Sequence, residues 1–151
     1  MTPYKNAWVG LCLVLTLTAC NTNTNEGASM SGSVMAENGI ALGGYDAVSY
    51  FSNDPQRGVH EYRYTYNGVD WLFISAEHRD RFIASPQRYM PQYGGHCALA
   101  MSFGERAPGD PLAWHIKDDK LYFHNGRLTR FAFNLFSGQQ EKADANWQRA
   151  H

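Results

Sequence analysis

The 151-residue chain predicts an α+β fold. The expected form is a small single domain with two antiparallel β-hairpins and short helices packed on one side, after a secretion signal and a flexible tether. Three observations carry this. Residues 60–66 alternate, with Tyr62, Tyr64 and Tyr66 on one face and Arg63 and Thr65 on the other, and they run into Asn67-Gly68, a strong two-residue hairpin signal. Residues 69–74 return with Val69, Trp71 and Phe73 on one face. Residues 114–117 and 120–124 read as a second hairpin around Asp118-Asp119. At 44% hydrophobic and 18% charged, the chain can bury a core and is not disordered throughout. It is too short for a TIM barrel or a two-domain dehydrogenase. A formal charge of −1 gives no footprint for nucleic acid, so no nucleic-acid partner is expected.

The elements follow in order. Lys5 precedes an apolar run over residues 7–18, the length of a signal-peptide core and too short to span a bilayer. Leu17-Thr18-Ala19-Cys20 resembles the bacterial lipobox. Residues 1–19 are thus expected to be a lipoprotein signal peptide and Cys20 the lipidated first residue of the mature chain. The bilayer is then a partner through acylated Cys20, and the protein is membrane-anchored and faces the periplasm. Asn21, rather than Asp, implies the outer membrane in preference to the inner. Cleavage removes Lys5 and no acid, moving the charge from −1 to −2, and leaves Cys97 as the one free thiol. Residues 20–38, rich in Asn, Thr, Ser and Gly, read as a flexible tether, and residues 39–151 as the folded domain. The chain is expected to carry no internal repeat and no second linker.

Within the domain, residues 47–51 form a short β-rich run. Ser75 is a good N-cap for a helix over residues 76–84, with Glu77 in its first turn and Phe82 and Ile83 turned inward. Ser85-Pro86 opens another helical turn with proline at its first position. Pro91-Gln92-Tyr93-Gly94-Gly95 breaks the pattern. Residues 97–103 suggest a short helix stopped by Gly104, and residues 107–111 a turn-rich loop. Phe131, Phe133, Leu135 and Phe136 mark an aromatic segment whose type the pattern leaves open. Residues 141–148 predict a closing helix anchored by Trp147.

Candidate chemistry centres on Gly94-Gly95-His96-Cys97. A helix starting at Cys97 puts the thiol at a positive dipole end, which favours thiolate. His96 adds an imidazole, and Met101 lies four residues on, along the same helical face. Thiolate, imidazole and thioether suit Cu(I); thiolate with imidazole also suits Zn(II). A closed site would need His78, His115 or His124 from elsewhere. The alternative reading is structural. Unpaired cysteine is among the most buried residue types, Met101 at helical spacing fits a core, and His96 fits an exposed position. His78 beside Glu77, Arg79 and Asp80 fits a solvated helix face, and the three tyrosines fit a hairpin face packed on the core.

Long stretches of the chain resemble the YHS-domain family, and more closely its bacterial lipoprotein subgroup. They include Gly44-Tyr45-Asp46-Ala47-Val48-Ser49-Tyr50-Phe51, Phe73-Ile74-Ser75-Ala76-Glu77-His78 and Pro91-Gln92-Tyr93-Gly94-Gly95-His96-Cys97-Ala98, and extend to Lys142-Ala143-Asp144-Ala145-Asn146-Trp147. The resemblance implies a small α+β unit suspected of binding metal, with no shared enzymatic activity. In the family that suspicion rests on two cysteines. Ile74 and His78 stand at those positions here, so the pair is broken and Cys97 is the only thiolate available. His96 and Met101 stand where the subgroup usually has an aromatic and often a valine.

Three function classes follow. The first is a membrane-tethered protein binding a copper or zinc ion through Cys97, His96, Met101 and His78. The second is a structural lipoprotein domain, or one binding a periplasmic protein partner, with Cys97 buried and no metal. The third, a thiol enzyme using Cys97 with His96 or His115 as base, ranks last because no resolving cysteine exists. The chain is not expected to be an enzyme.

Overall fold

The structure, a computed structural model, describes residues 34–150. The chain folds as an α+β domain. Strands β1 (Ala36–Glu37), β2 (Ile40–Ala41), β3 (Val59–Tyr66) and β4 (Val69–Phe73) form one sheet in the order β1-β2-β4-β3. In it β2 runs parallel to β4 and the other neighbours are antiparallel. Helices α1 (Ala76–Ala84), α2 (Pro86–Tyr89) and α3 (Ala98–Ser102) follow, then the antiparallel hairpin of β5 (Asp110–Lys117) and β6 (Lys120–His124), then α4 (Arg127–Leu135) and α5 (Gln139–Arg149).

Local chemistry explains the first hairpin and its helix. Asn67 and Gly68 both take positive φ, as a two-residue turn matched to strand twist requires. The Ser75 hydroxyl accepts the His78 N–H at 3.2 Å, satisfying a donor that the first turn of α1 would otherwise leave unpaired. Phe82, fully buried, lies 4.8 Å from Trp71, 5.2 Å from Phe73, 5.9 Å from Tyr66 and 6.4 Å from Tyr64, ring centre to ring centre. This nest fixes α1 on the hairpin.

Several expectations are corrected. Residues 47–51 are not a strand: the Asp46 carboxylate accepts the N–H groups of Val48 and Ser49 at 2.8 and 3.3 Å and bends the chain into a 3-10 turn over Ser49–Ser52, the usual competition of an aspartate with regular structure. Ile83 points outward, since one position beyond Phe82 turns it off the packed face. Residues 34–38 belong to the fold rather than to the tether: Val34 is buried in the core, and β1 pairs with β2. The rest of the expected tether, the signal segment and Cys20 lie outside the described residues. β5 starts at Asp110, inside the expected loop, and Cys97 precedes α3 rather than opening it. The aromatic segment left open is α4. Hairpins, α1, α2 and the closing helix lie where the sequence places them.

The expected absence of a repeat is also overturned. Two successive units share one backbone plan at a constant displacement of 51 residues: Val59 to Asp110, Val69 to Lys120, Ala76 to Arg127. Strand and helix lengths are equal in the two units. The register slips at the same place, between Val59 and Arg63 in one and between Asp110 and Trp114 in the other. Bridge Tyr45–Arg57 corresponds to bridge His96–Pro108. The positive-φ run Leu42, Gly43, Gly44 corresponds to Tyr93, Gly94, Gly95. A Cβ on Gly58 would meet the Leu72 carbonyl carbon at 2.3 Å, and one on Gly109 the Gly95 oxygen at 2.3 Å and the Phe123 Cβ at 2.6 Å. Matched identities are few: Gly43/Gly94, Gly44/Gly95, Ala47/Ala98, Gly58/Gly109, Arg79/Arg130 and Phe82/Phe133.

The units interlock. Leu121 and Phe123 on one face of β6 complete the first unit's core, while Tyr122 on the other face joins Tyr93, Ala98, Met101, Phe133 and Ala143 in a second cluster. Tyr50 bridges them, with its ring edge-on to Trp114 and Phe123 at 5.4 and 5.3 Å and its hydroxyl donating to the Pro111 carbonyl at 3.1 Å.

Candidate functional site

The duplication pairs Asp46 with Cys97. Both precede a helical turn, and both side chains reach the first residue after a hairpin. The Asp46 carboxylate accepts the Ile74 N–H at 3.0 Å, and the Cys97 Sγ accepts the Asn125 N–H at 3.3 Å. The main chain repeats the match: Asp46 N–H to the Gln56 carbonyl at 2.8 Å, Cys97 N–H to the Ala107 carbonyl at 2.9 Å. Cys97 is 2% exposed and Asp46 fully buried.

In the first unit the carboxylate does more. Its second oxygen also meets the His78 Nδ1 at 2.7 Å, with the His78 side chain 15% exposed. Four contacts thus converge on one buried acid, which is how a buried carboxylate escapes the desolvation penalty. His78 is therefore a held side chain, not a solvated one. Positions 74 and 78 do meet, but on Asp46.

Each of the four expected metal ligands has contacts of its own. His78 is bound to Asp46 in the first unit. The His96 Nδ1 lies 2.9 Å from the Tyr93 carbonyl, and its ring lies 6.3 Å from that of Trp147; the residue is half-buried. Met101 is packed in the second apolar cluster. The Cys97 thiol faces the Asn125 amide. Among the described residues no group of three or more His, Cys, Asp or Glu side chains is arranged to hold a metal ion.

A second cluster escaped the sequence reading as a pair. His124, fully buried, places its Nε2 2.9 Å from the His115 Nδ1, with the rings stacked at 5.0 Å. His115 also stacks on Tyr122 at 5.1 Å, and Phe133 of α4 covers the group. The outer nitrogens, His115 Nε2 and His124 Nδ1, have no hydrogen-bond partner among the described residues, nor has the Tyr122 hydroxyl. Burial holds both histidines neutral: it pushes His115 down to about 4 and His124 to about 3, with nearby Arg130 adding to both. Burial likewise pushes the Tyr122 hydroxyl up to about 12. The alternation of residues 120–124 was a usable signal, since it puts Tyr122 and His124 on one face; the missing link was which face the next helix covers.

Comparison with known proteins yields no match: no protein-family model, no curated protein and no solved structure matches this chain.

Proposed function

We propose that the chain is a membrane-tethered bacterial lipoprotein of YHS type whose folded part is a structural, partner-binding domain, with Cys97 a buried structural thiol. One observation carries this: Cys97 takes the place of Asp46 in the second unit and does the same mechanical work. Each side chain ties the exit of a hairpin to the loop before the helical turn. A thiol that accepts a backbone N–H in a site 2% exposed is spoken for, and buried structural cysteines are inert. The hold of Asp46 on His78 and the packing of Met101 in the second apolar cluster support the same reading over the metal-binding alternative. The anchor rests on the lipobox-like residues ending at Cys20, and the family on the quoted stretches.

The test is an anaerobic Cu(I) and Zn(II) titration of the protein against a chromophoric competitor, beside Cys97→Ser. The expected result is no competition by either protein, with the Cys97 thiol unreactive to a disulfide reagent until denaturant is added. Stoichiometric binding that disappears in Cys97→Ser overturns the reading in favour of a metal carrier. Incorporation of labelled palmitate, lost in Cys20→Ser, checks the anchor separately.

A further inference from the structure

The outer face of α4 is apolar without a structural need for it. Leu128, Phe131 and Leu135 are 85%, 64% and 60% exposed. At 3.6 residues per turn they fall within an arc of about 60°, on the side away from buried Phe133. Phe136, just past the helix, is exposed as well. The first unit supplies an internal control. At the matching positions of α1 stand Glu77, Asp80 and Ala84, so this architecture folds with a polar outer helix face.

The surroundings specify the occupant by charge. Helix α4 itself holds Arg127 and Arg130 and no Asp or Glu, within a protein of net charge −1, and the nearest acids in sequence, Asp119 and Glu141, lie beyond its two ends. Arg127 lies about 40° round the helix from Phe131. An exposed leucine and phenylalanine face flanked by arginine, on a short helix, is the pattern of an interfacial helix on an anionic lipid surface. Cys20 precedes Val34 by fourteen residues, a contour of at most about 50 Å, so a lipid at Cys20 keeps α4 within reach of the bilayer.

We propose that the outer face of α4 is a second membrane contact, in which Leu128, Phe131 and Leu135 enter the headgroup layer of an anionic bilayer and Arg127 meets its phosphates. The proposal rests on the lipid anchor for proximity but not for binding, and the two are separable. The test uses the mature chain, residues 20–151 carrying Cys20→Ser, so that no acyl group contributes. It is co-sedimented with vesicles of phosphatidylcholine alone and of phosphatidylcholine mixed with phosphatidylglycerol. Pelleting is expected with the mixed vesicles only. It should fall about tenfold or more in Phe131→Asp/Leu135→Asp and severalfold in Arg127→Glu or at high salt. Both variants alter exposed side chains, and an unchanged melting temperature verifies their fold. Absence of pelleting on mixed vesicles overturns the proposal, as does pelleting that both variants leave unchanged. A dimer in solution that Phe131→Asp/Leu135→Asp dissolves, with no vesicle binding, assigns the face to a second copy and also overturns it. If Cys20 from cells proves unacylated by mass spectrometry while the vesicle result holds, the anchor alone is lost.

Discussion

The two hairpin–helix units share a backbone plan and differ in how they satisfy what they bury. In the first, Phe82 sits among Tyr64, Tyr66, Trp71 and Phe73, and the buried acid Asp46 has four partners. In the second, Phe133 sits on His115, Tyr122 and His124, whose outer polar atoms lack partners among the described residues, and Cys97 replaces the acid with a single N–H contact. The helix starts differ too: Ser75 caps α1 with its hydroxyl, while Gly126 before α4 offers no side chain. One backbone thus tolerates a fully satisfied interior and an under-satisfied one. The difference shows what the shared plan requires: a turn with positive φ, a glycine under a crossing strand, and a phenylalanine on the helix.

The largest effect should come from breaking the shared requirement. Phe82→Ala should cost about 3–5 kcal/mol in urea unfolding; Phe133→Ala should fall at or below the lower end, because its loss also lets water reach the orphaned polar atoms. Equal costs would mean that the two nests are energetically alike. Next, Asp46→Ala strands the Ile74, Val48 and Ser49 N–H groups and the His78 imidazole, a loss of about 3 kcal/mol or more. Cys97→Ala strands one N–H and removes one small side chain, about 1–2 kcal/mol. A larger loss at Cys97 would break the equivalence of the two positions.

His115 and His124 titrate lower in the folded protein than the ordinary value of 6.5. The unfolded chain therefore takes up protons first as pH falls. Stability is full above about 6.5 and is lost progressively down to about 3–4, by about 2–4 kcal/mol between pH 7 and pH 4.5. The double substitution His115→Tyr/His124→Phe, which installs the residue types of Tyr64 and Phe73, should flatten that slope in parallel urea titrations. The smallest effect belongs to the caps. Ser75→Ala should cost about 1 kcal/mol by thermal unfolding, and no comparable cap exists to remove before α4.

What was legible in the sequence was what short-range chemistry decides. Asn67-Gly68 dictates its turn through two positive φ values, Ser75 its cap and Pro86 the start of α2. The duplication was not legible, because matched positions conserve conformation rather than identity: Asn53 and Gly104, or Asn67 and Asp118, share positive φ with different side chains. The run after Asp46 carries strand-forming residues, but a carboxylate hydrogen-bonding two and three residues ahead outweighs their propensity. The candidate site divides likewise. Burial of Cys97 was the structural alternative drawn from residue type. The Asp46–His78 contact spans 32 residues and has no local signature.

The interlock through β6 has a consequence for vectorial folding. Leu121 and Phe123 are part of the first unit's core, so a chain emerging N-terminus first cannot seal that core until most of its length has emerged. The earlier half must wait with Tyr50 incompletely covered, since Phe123 packs on its ring, whereas β6 and Phe133 can find Tyr93 and Met101 already present. Completion of the first unit's core is therefore ordered late, after β6 has emerged.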